Sequence, residues 1–188
     1  MQGDPKIIYV HLTNLSGNVI FDIGADDGTY TRHFRRNFKK VYAFEPLPEN
    51  VEKLKALHAK DENVTVVPLA VSDVDGEIEL ACDPPLRVKS VRLDSLQLEE
   101  PDYIRINVGG GELKVIEGGM SLLSRCKPGI LVEVHQEEQG IKIKSMLSEL
   151  YNIITEVRNL SYLNDPFQYK NHYYLEALSY VPGESLRC

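Results

Sequence analysis

Apolar and polar positions follow two periods along this chain. Short apolar runs at Val19–Ile23, Lys40–Glu45, Asn63–Val71, Tyr103–Val108 and Gly129–His135 read as strands, several of the kind buried on both faces. Between them lie stretches of helical period. Thr29–Phe38 carries Tyr30, Phe34 and Phe38 at i, i+4 and i+8. A second helix opens at Pro46-Leu-Pro-Glu49, where Pro48 suits a first turn and Glu49 the positive end of the dipole. Its stripe is Leu47, Val51, Leu54 and Leu57, with Glu49 and Lys53 paired outside. Glu112–Ser124 and Ile141–Tyr151 complete the helices, and Gly118 and Gly119 inside the former end it, kink it or let it pack closely.

The alternation of strand and helix predicts one α/β domain over residues 1–188 with a mostly parallel sheet. One segment is irregular. Ser72–Gly76 reads as a turn, Glu77–Ala81 as a strand, Cys82–Leu86 as a loop and Lys89–Leu93 as a short returning strand, where a crossover helix is the usual solution. Two last strands are expected near Asn152–Val157 and Tyr173–Tyr180, joined through the polar loop Asn164–Asn171. Lys6–Leu12 is a further short element before the first core strand.

Charge narrows the function classes. The formal net charge of -7 argues against nucleic acid as a partner. The basic run Arg32, Arg35, Arg36, Lys39 and Lys40 reads as a solvated helix face. Cys82, Cys126 and Cys188 are odd in number and share no metal or redox spacing, which predicts reduced thiols in a cytoplasmic protein. Neither a signal peptide nor an apolar run of membrane-spanning length is visible, so no membrane partner and no metal site is expected.

Ligands of an open parallel sheet bind beyond the carboxyl ends of the strands. The residues there are Asp22 with the Gly24–Gly28 turn, Glu45-Pro46, Ala70–Asp73, Asn107–Gly111, and Glu133 with His135. Gly24 and Gly28 permit a tight turn close to a ligand. Glu45, at the second strand end, is placed to accept both hydrogen bonds of a ribose diol. The turn is G-x-x-x-G rather than G-x-G-x-x-G, and it carries Asp26 and Asp27. A carboxylate about 4 Å from a phosphate costs on the order of 4 kcal/mol near a protein surface. S-adenosylmethionine has no phosphate and carries two cationic groups, so the acidic turn favours it over NAD or ATP as cofactor.

The ordered motifs Asp22-Ile-Gly-Ala-Asp-Asp-Gly28, Phe44-Glu-Pro46, Val71-Ser-Asp73, Val91-Arg-Leu-Asp-Ser-Leu96, Ile104–Gly118 and Leu131-Val-Glu-Val-His135 resemble the FkbM family of S-adenosylmethionine-dependent methyltransferases. The resemblance implies a Rossmann-like class I methyltransferase fold, a seven-stranded sheet with helices on both faces and an antiparallel last strand. It implies O-methylation of a small-molecule or sugar hydroxyl. Carried over by position, Asp22, Gly24, Ala25, Asp26 and Gly28 line the methionine and ribose side, with Tyr30 and Thr31 in the same motif. Glu45 holds the ribose hydroxyls with Pro46 beside it, and Val71 and Ser72 sit near the adenine. Asp73 either reaches the adenine amine or closes an Asx turn.

The chain departs from the family at Asn107-Val-Gly-Gly-Gly-Glu112, where the pattern resembles D-V-E-G-A-E. Asparagine cannot take a proton and ligates metal only through a neutral carbonyl. Three readings stand: Asn107 positions cofactor and acceptor; Glu112 or His135 supplies a base; or the chain binds S-adenosylmethionine with impaired or no catalysis. A nicotinamide-dependent oxidoreductase is disfavoured by the missing third glycine. The acceptor surface is expected from the Cys82–Leu86 and Asn164–Asn171 loops or a second subunit of a homodimer. Tyr162, Phe167, Tyr169, Tyr173 and Tyr174 are candidates to stack on a sugar or to pack as core.

Overall fold

The computed structural model describes residues 14–157 and 173–179. In chain order the elements are β1 (Gly17–Ile23), α1 (Thr31–Asn37), β2 (Phe38–Phe44), α2 (Pro48–Leu57), β3 (Val64–Val67), β4 (Ala70–Val71), β5 (Gly76–Leu80), β6 (Leu86–Val91), β7 (Tyr103–Ile106), α3 (Glu112–Glu117), α4 (Met120–Cys126), β8 (Gly129–Val134), α5 (Glu137–Ser148), β9 (Ile153–Val157) and β10 (Tyr173–Leu178). Seven strands form the main sheet in the order β3-β2-β1-β7-β8-β10-β9. From β3 to β8 neighbours run parallel, while β10 is antiparallel to both β8 and β9. The strand order reverses direction beside β1, so the loops after β1 and β7 part there and open a crevice.

The apolar runs are strands because both of their faces are covered. Phe21, Ile23, Ile104, Ile106 and Val132 join one core with Ile143 and Leu147 of α5. Ile20, Val41 and Leu131 face the other way onto Phe34 and Phe38. The expected aromatic ladder at the first helix is present, with Tyr30 stacked on Phe34 at 6.3 Å and Phe34 edge-on to Phe38 at 6.1 Å. Among the described residues, no helix is long and apolar enough to cross a membrane.

Several boundaries differ from the sequence expectation for local reasons. The expected Asn63–Val71 strand divides at Pro68, which has no N–H to give a ladder. β4 then joins β6 and β5 in a separate three-stranded sheet, which replaces the missing crossover helix. The Glu112–Ser124 helix breaks into α3 and α4 at Gly118-Gly119. A Cβ on Gly118 would stand 2.1 Å from the Ser72 carbonyl oxygen, so this glycine marks a backbone crossing. The last helix begins at Glu137 and runs through Gly140, whose absent side chain leaves room for Tyr173 Oη. Tyr173 and Tyr174 are buried in the core. Lys6–Leu12, the Asn164–Asn171 loop, Tyr162, Phe167, Tyr169 and Cys188 lie outside the described residues. Cys82 and Cys126 are free thiols.

The loop after β7 is closed from beneath. Glu112 is 1% exposed, and its Oε1 accepts N–H groups of Val108 (3.2 Å) and Gly110 (3.0 Å). His135 Nδ1 lies 2.9 Å from the same oxygen. Burial works against both charges. For Glu112 the His135 contact and the Gly110 N–H win, and its pKa falls below the ordinary value. For His135 burial is likewise outweighed by Glu112 and then Glu133, and its pKa rises.

Two outcomes follow from this packing. Gly118→Ala forces a methyl into the Ser72 backbone and is expected to cost about 1–3 kcal/mol in chemical denaturation; an unchanged midpoint would show that the crossing is loose. The Glu112–His135 pair is intact between its two titrations, lost as pH falls through the lowered Glu112 pKa and as pH rises through the raised His135 pKa. Glu112→Gln keeps an oxygen for the two N–H groups and removes only the charge. It is expected to cost about 1–2 kcal/mol at about pH 6 and clearly less at about pH 9. An equal cost at both pH values contradicts the ion pair.

Candidate active site

The floor of the crevice is a buried ion pair. Asp22 and Arg105 face each other in the register of β1 and β7, and Arg105 Nη1 donates to Asp22 Oδ1 at 2.8 Å. Asp22 Oδ2 accepts the Thr31 hydroxyl at 2.6 Å. The guanidinium also donates to the Gly24 carbonyl at 3.1 Å and lies 4.3 Å from the Tyr30 ring centroid. Burial disfavours its charge, but the Asp22 carboxylate more than compensates, so Arg105 remains a firm cation.

Above this floor the Gly24–Gly28 turn crosses the end of β7. Gly24 has φ +79, and a Cβ there would stand 1.8 Å from the Asn107 carbonyl oxygen, so both its backbone conformation and its space require glycine. Gly24 and Ala25 donate their N–H groups to the Phe44 carbonyl, which ties the turn to β2. Asp26 takes a left-handed conformation at φ +49. Its N–H donates to Glu45 Oε2 at 2.9 Å, and its carboxylate accepts Asn50 Nδ2 at 2.8 Å. Asp27 accepts the Thr29 N–H and hydroxyl, and this local capping holds its pKa below the ordinary value.

Glu45 is 4% exposed. Its two oxygens accept the Asp26 and Leu47 N–H groups, each at 2.9 Å. Burial nevertheless raises its pKa, with Asp26 and Asp22 adding to the effect against those two donors. Each oxygen keeps a second lone pair for a ligand hydroxyl.

Across the crevice, Asn107 Nδ2 donates to Glu133 Oε2 at 2.7 Å, and the Tyr174 hydroxyl donates to the same oxygen at 2.9 Å. Burial, Glu133 and Tyr30 push the Tyr174 pKa upward, so it stays protonated as a donor. Gly109 and Gly110 take φ +67 and +107. A Cβ on Gly109 would meet nothing within 4 Å, so this glycine opens space instead of permitting a close contact.

These parts enclose a cleft of about 920 Å³. Of the residues expected from sequence, Gly24, Ala25, Asp26, Tyr30, Glu45, Pro46, Val71, Ser72 and Asn107 line it. Asp22 and Thr31 lie beneath, joined to each other and to Arg105. Gly28, at φ +80, faces Leu54 and Leu57 of α2. Asp73 accepts the Ser72 hydroxyl at 2.9 Å and stands outside the lining, as do Glu112 and His135. The expectation that Cys82–Leu86 borders the site holds for Cys82 alone.

Sequence reasoning missed Arg105, Asn50, Lys114 and Gln136, and it missed the wall that Ile78–Ala81 supply at the end of β5. Arg105 had a signal: a charge inside the apolar run Tyr103-Ile-Arg-Ile106 needs a buried partner, and Asp22 is an acid in another core strand. The β5 wall had none, because it depends on how the small sheet packs. Among the described residues, no three His, Cys, Asp or Glu side chains are grouped to hold a metal ion.

A family description, the Methyltransferase FkbM domain, matches residues 22–163. The hexuronic acid methyltransferase AglP of Haloferax volcanii is 24% identical over 181 residues, covering 86% of this chain and 74% of that protein. The FkbM methyltransferase of Methylobacillus flagellatus KT superposes with a TM-score of 0.65 at 16% identity, over 88% of this chain and 47% of that one, so this chain spans about half of its length. A SAM-dependent O-methyltransferase of Thermotoga maritima gives 0.62 at 17% identity, over 98% of this chain and 69% of that one. These two structures share the Rossmann-like sheet described above. With the family description covering residues 22–163 and the relatives agreeing, the chain belongs to the FkbM family of methyltransferases.

Proposed function

We propose that this protein uses S-adenosylmethionine to methylate a hydroxyl of a sugar or similar small molecule. The observation that carries the reading is Glu45, buried at a strand end with its oxygens spread by two backbone N–H groups and facing a lining that holds Asp26 and Asp27. That set of acceptors fits a ribose diol and a cationic ligand, and it repels a pyrophosphate. S-adenosylmethionine supplies a methyl group on a sulfonium, so that a carbon–oxygen bond forms as a carbon–sulfur bond breaks and the hydroxyl proton leaves to solvent. The relative from Haloferax volcanii, a hexuronic acid methyltransferase, supports a sugar-type acceptor.

The roles of the chain's residues follow from their contacts. Glu45 holds the ribose, with Pro46 and Leu47 beside it, and Val71 and Ser72 border the adenine end. Asp22 acts through Arg105, setting the turn and the Tyr30 ring against the floor. Asn107 positions the acceptor. Glu133 can only accept as a carboxylate, so the amide nitrogen of Asn107 faces it and the amide oxygen is left for the cleft. That oxygen accepts a hydroxyl hydrogen bond and orients the nucleophile without removing its proton. Glu112 and His135 support the loop from beneath.

Two measurements test this. Calorimetric titration is expected to show binding of S-adenosylmethionine and its demethylated product but not NAD. Glu45→Ala and Glu45→Gln are expected to weaken that binding roughly 10–100-fold through lost charged hydrogen bonds. No heat with either sulfur nucleoside at millimolar concentration refutes the proposal. Asn107→Asp places a second carboxylate against Glu133 and raises one of the two pKa values. Stability of that variant is therefore retained at low pH and lost as pH rises through the raised pKa. Its thermal midpoint is expected to fall more than the wild type's between about pH 5 and pH 8, and a parallel pH profile would remove Asn107 from the Glu133 contact.

A further inference from the structure

One side-chain amide joins the loop after β7 to the start of α5. β7 and β8 are parallel neighbours, so the residues that follow β8 stand beside the Asn107–Gly111 loop at the same end of the sheet. Gln139 Nε2 donates to the Gly110 carbonyl at 2.9 Å and to Gln136 Oε1 at 2.8 Å. A carbonyl can only accept, so the Gly110 contact fixes which end of the Gln139 amide is nitrogen. The second N–H of that nitrogen then fixes Gln136 in turn. The oxygen of the Gln136 amide faces Gln139, and its nitrogen is turned away.

Helix capping accounts for neither glutamine. Gln139 is the third residue of α5, where glutamine ordinarily turns its oxygen back onto the N–H of the capping residue. Gln139 Oε1 is instead buried without a partner among the described residues. Gln136, the residue before the helix, makes no side-chain cap either. It is exposed and lines the cleft, and among the described residues its Nε2 has no partner. A Cβ on Gly110 would stand 3.3 Å from that nitrogen, and Gly110 takes φ +107, so glycine here lets the amide lie close over the loop.

We propose that Gln136 is an acceptor-binding residue, donating from Nε2 to an oxygen of the sugar-type acceptor, and that Gln139 is the positioning residue that turns it into the cleft. This rests on the methyltransferase reading and adds a specificity contact to the same site. Asn107 leaves an amide oxygen for the cleft, and Gln136 leaves an amide nitrogen. Together they offer one hydrogen-bond acceptor and one donor to a molecule whose hydroxyls can use both. Both amides are fixed by partners behind them, Glu133 for one and Gln139 for the other, so their roles are set before a ligand arrives.

The test uses the full chain saturated with S-adenosylhomocysteine. Ligand-observed NMR gives the dissociation constants of D-glucose, D-galactose, D-glucuronate and D-galacturonate, and the tightest of these sugars is carried forward. Gln136→Ala and Gln136→Met each remove the donor and are expected to weaken that sugar roughly fivefold to tenfold, with affinity for S-adenosylhomocysteine unchanged. Gln139→Met keeps the length of the side chain and removes the amide that turns Gln136. It is expected to weaken the sugar roughly twofold to fivefold with a thermal midpoint close to the wild type's, because the lost hydrogen bonds are offset by removal of a buried oxygen without a partner. A sugar affinity that neither Gln136 variant changes overturns the proposal, and so does failure of every sugar to bind the wild type, with the methyltransferase reading left standing. Loss of S-adenosylhomocysteine binding in the Gln136 variants also overturns it, because Gln136 would then serve the cofactor. A Gln139→Met variant that keeps wild-type sugar affinity, or loses it only together with its thermal midpoint, removes the positioning role. Failure of S-adenosylhomocysteine to bind the wild type is the separate outcome that sinks the underlying reading.

Discussion

The Asp22–Arg105 ion pair is the constraint on which the crevice depends. A guanidinium inside a central parallel strand is tolerable only with a matched carboxylate and filled hydrogen-bond positions. The register of β1 and β7 puts Asp22 opposite Arg105, and Thr31 takes the other carboxylate oxygen. The same guanidinium reaches the Gly24 carbonyl and lies against the Tyr30 ring. One buried charge thus ties together β1, β7, the glycine turn and the approach to α1. The turn carries function above this anchor because it is not free to drift.

The site built on that floor has two supports of different kinds. The half around the Gly24–Gly28 turn is organised by backbone. Gly24 and Ala25 hang from Phe44, and Asp26 hangs from Glu45. The half after β7 is organised by side chains, with Glu133 accepting from both Asn107 and Tyr174, and the Val108–Gly110 loop held by Glu112. The three glycines would leave that loop slack, and the buried carboxylate beneath it compensates. The loop is therefore open in shape and still anchored.

Neighbouring residues of the loop after β7 meet different surroundings. Losing an acid at position 109 removes a side chain from open space and disturbs no packing. Losing Glu112 would leave two N–H groups without their shared acceptor. Glu112 holds the loop from beneath, while Asn107 and Gly109 bring no charge to the cleft lining.

Much of this was legible from the chain alone. Apolar runs bounded by glycine and proline predict buried parallel strands, because both faces of such strands must leave water. The acidic turn and Glu45 predict a phosphate-free nucleoside ligand, because charge complementarity is a property of residue type. Asp22 read in the same way as Asp26, and the sequence could not tell them apart. Their difference arises because Asp22 meets an arginine 83 residues away while Asp26 takes a left-handed turn beside Glu45. Likewise Glu112 and His135 each read as a candidate base, but their contact with each other turns them to the loop's underside. The break at Gly118 was signalled by its glycine pair, but the wall from β5 has no local signal. Residue types and their periods determined the fold class and the acidic character of the glycine turn. Which carboxylate lines the cleft and which one braces it was decided by pairing across the sheet, because a side chain's partner in the interior is set by register and not by its neighbours in sequence.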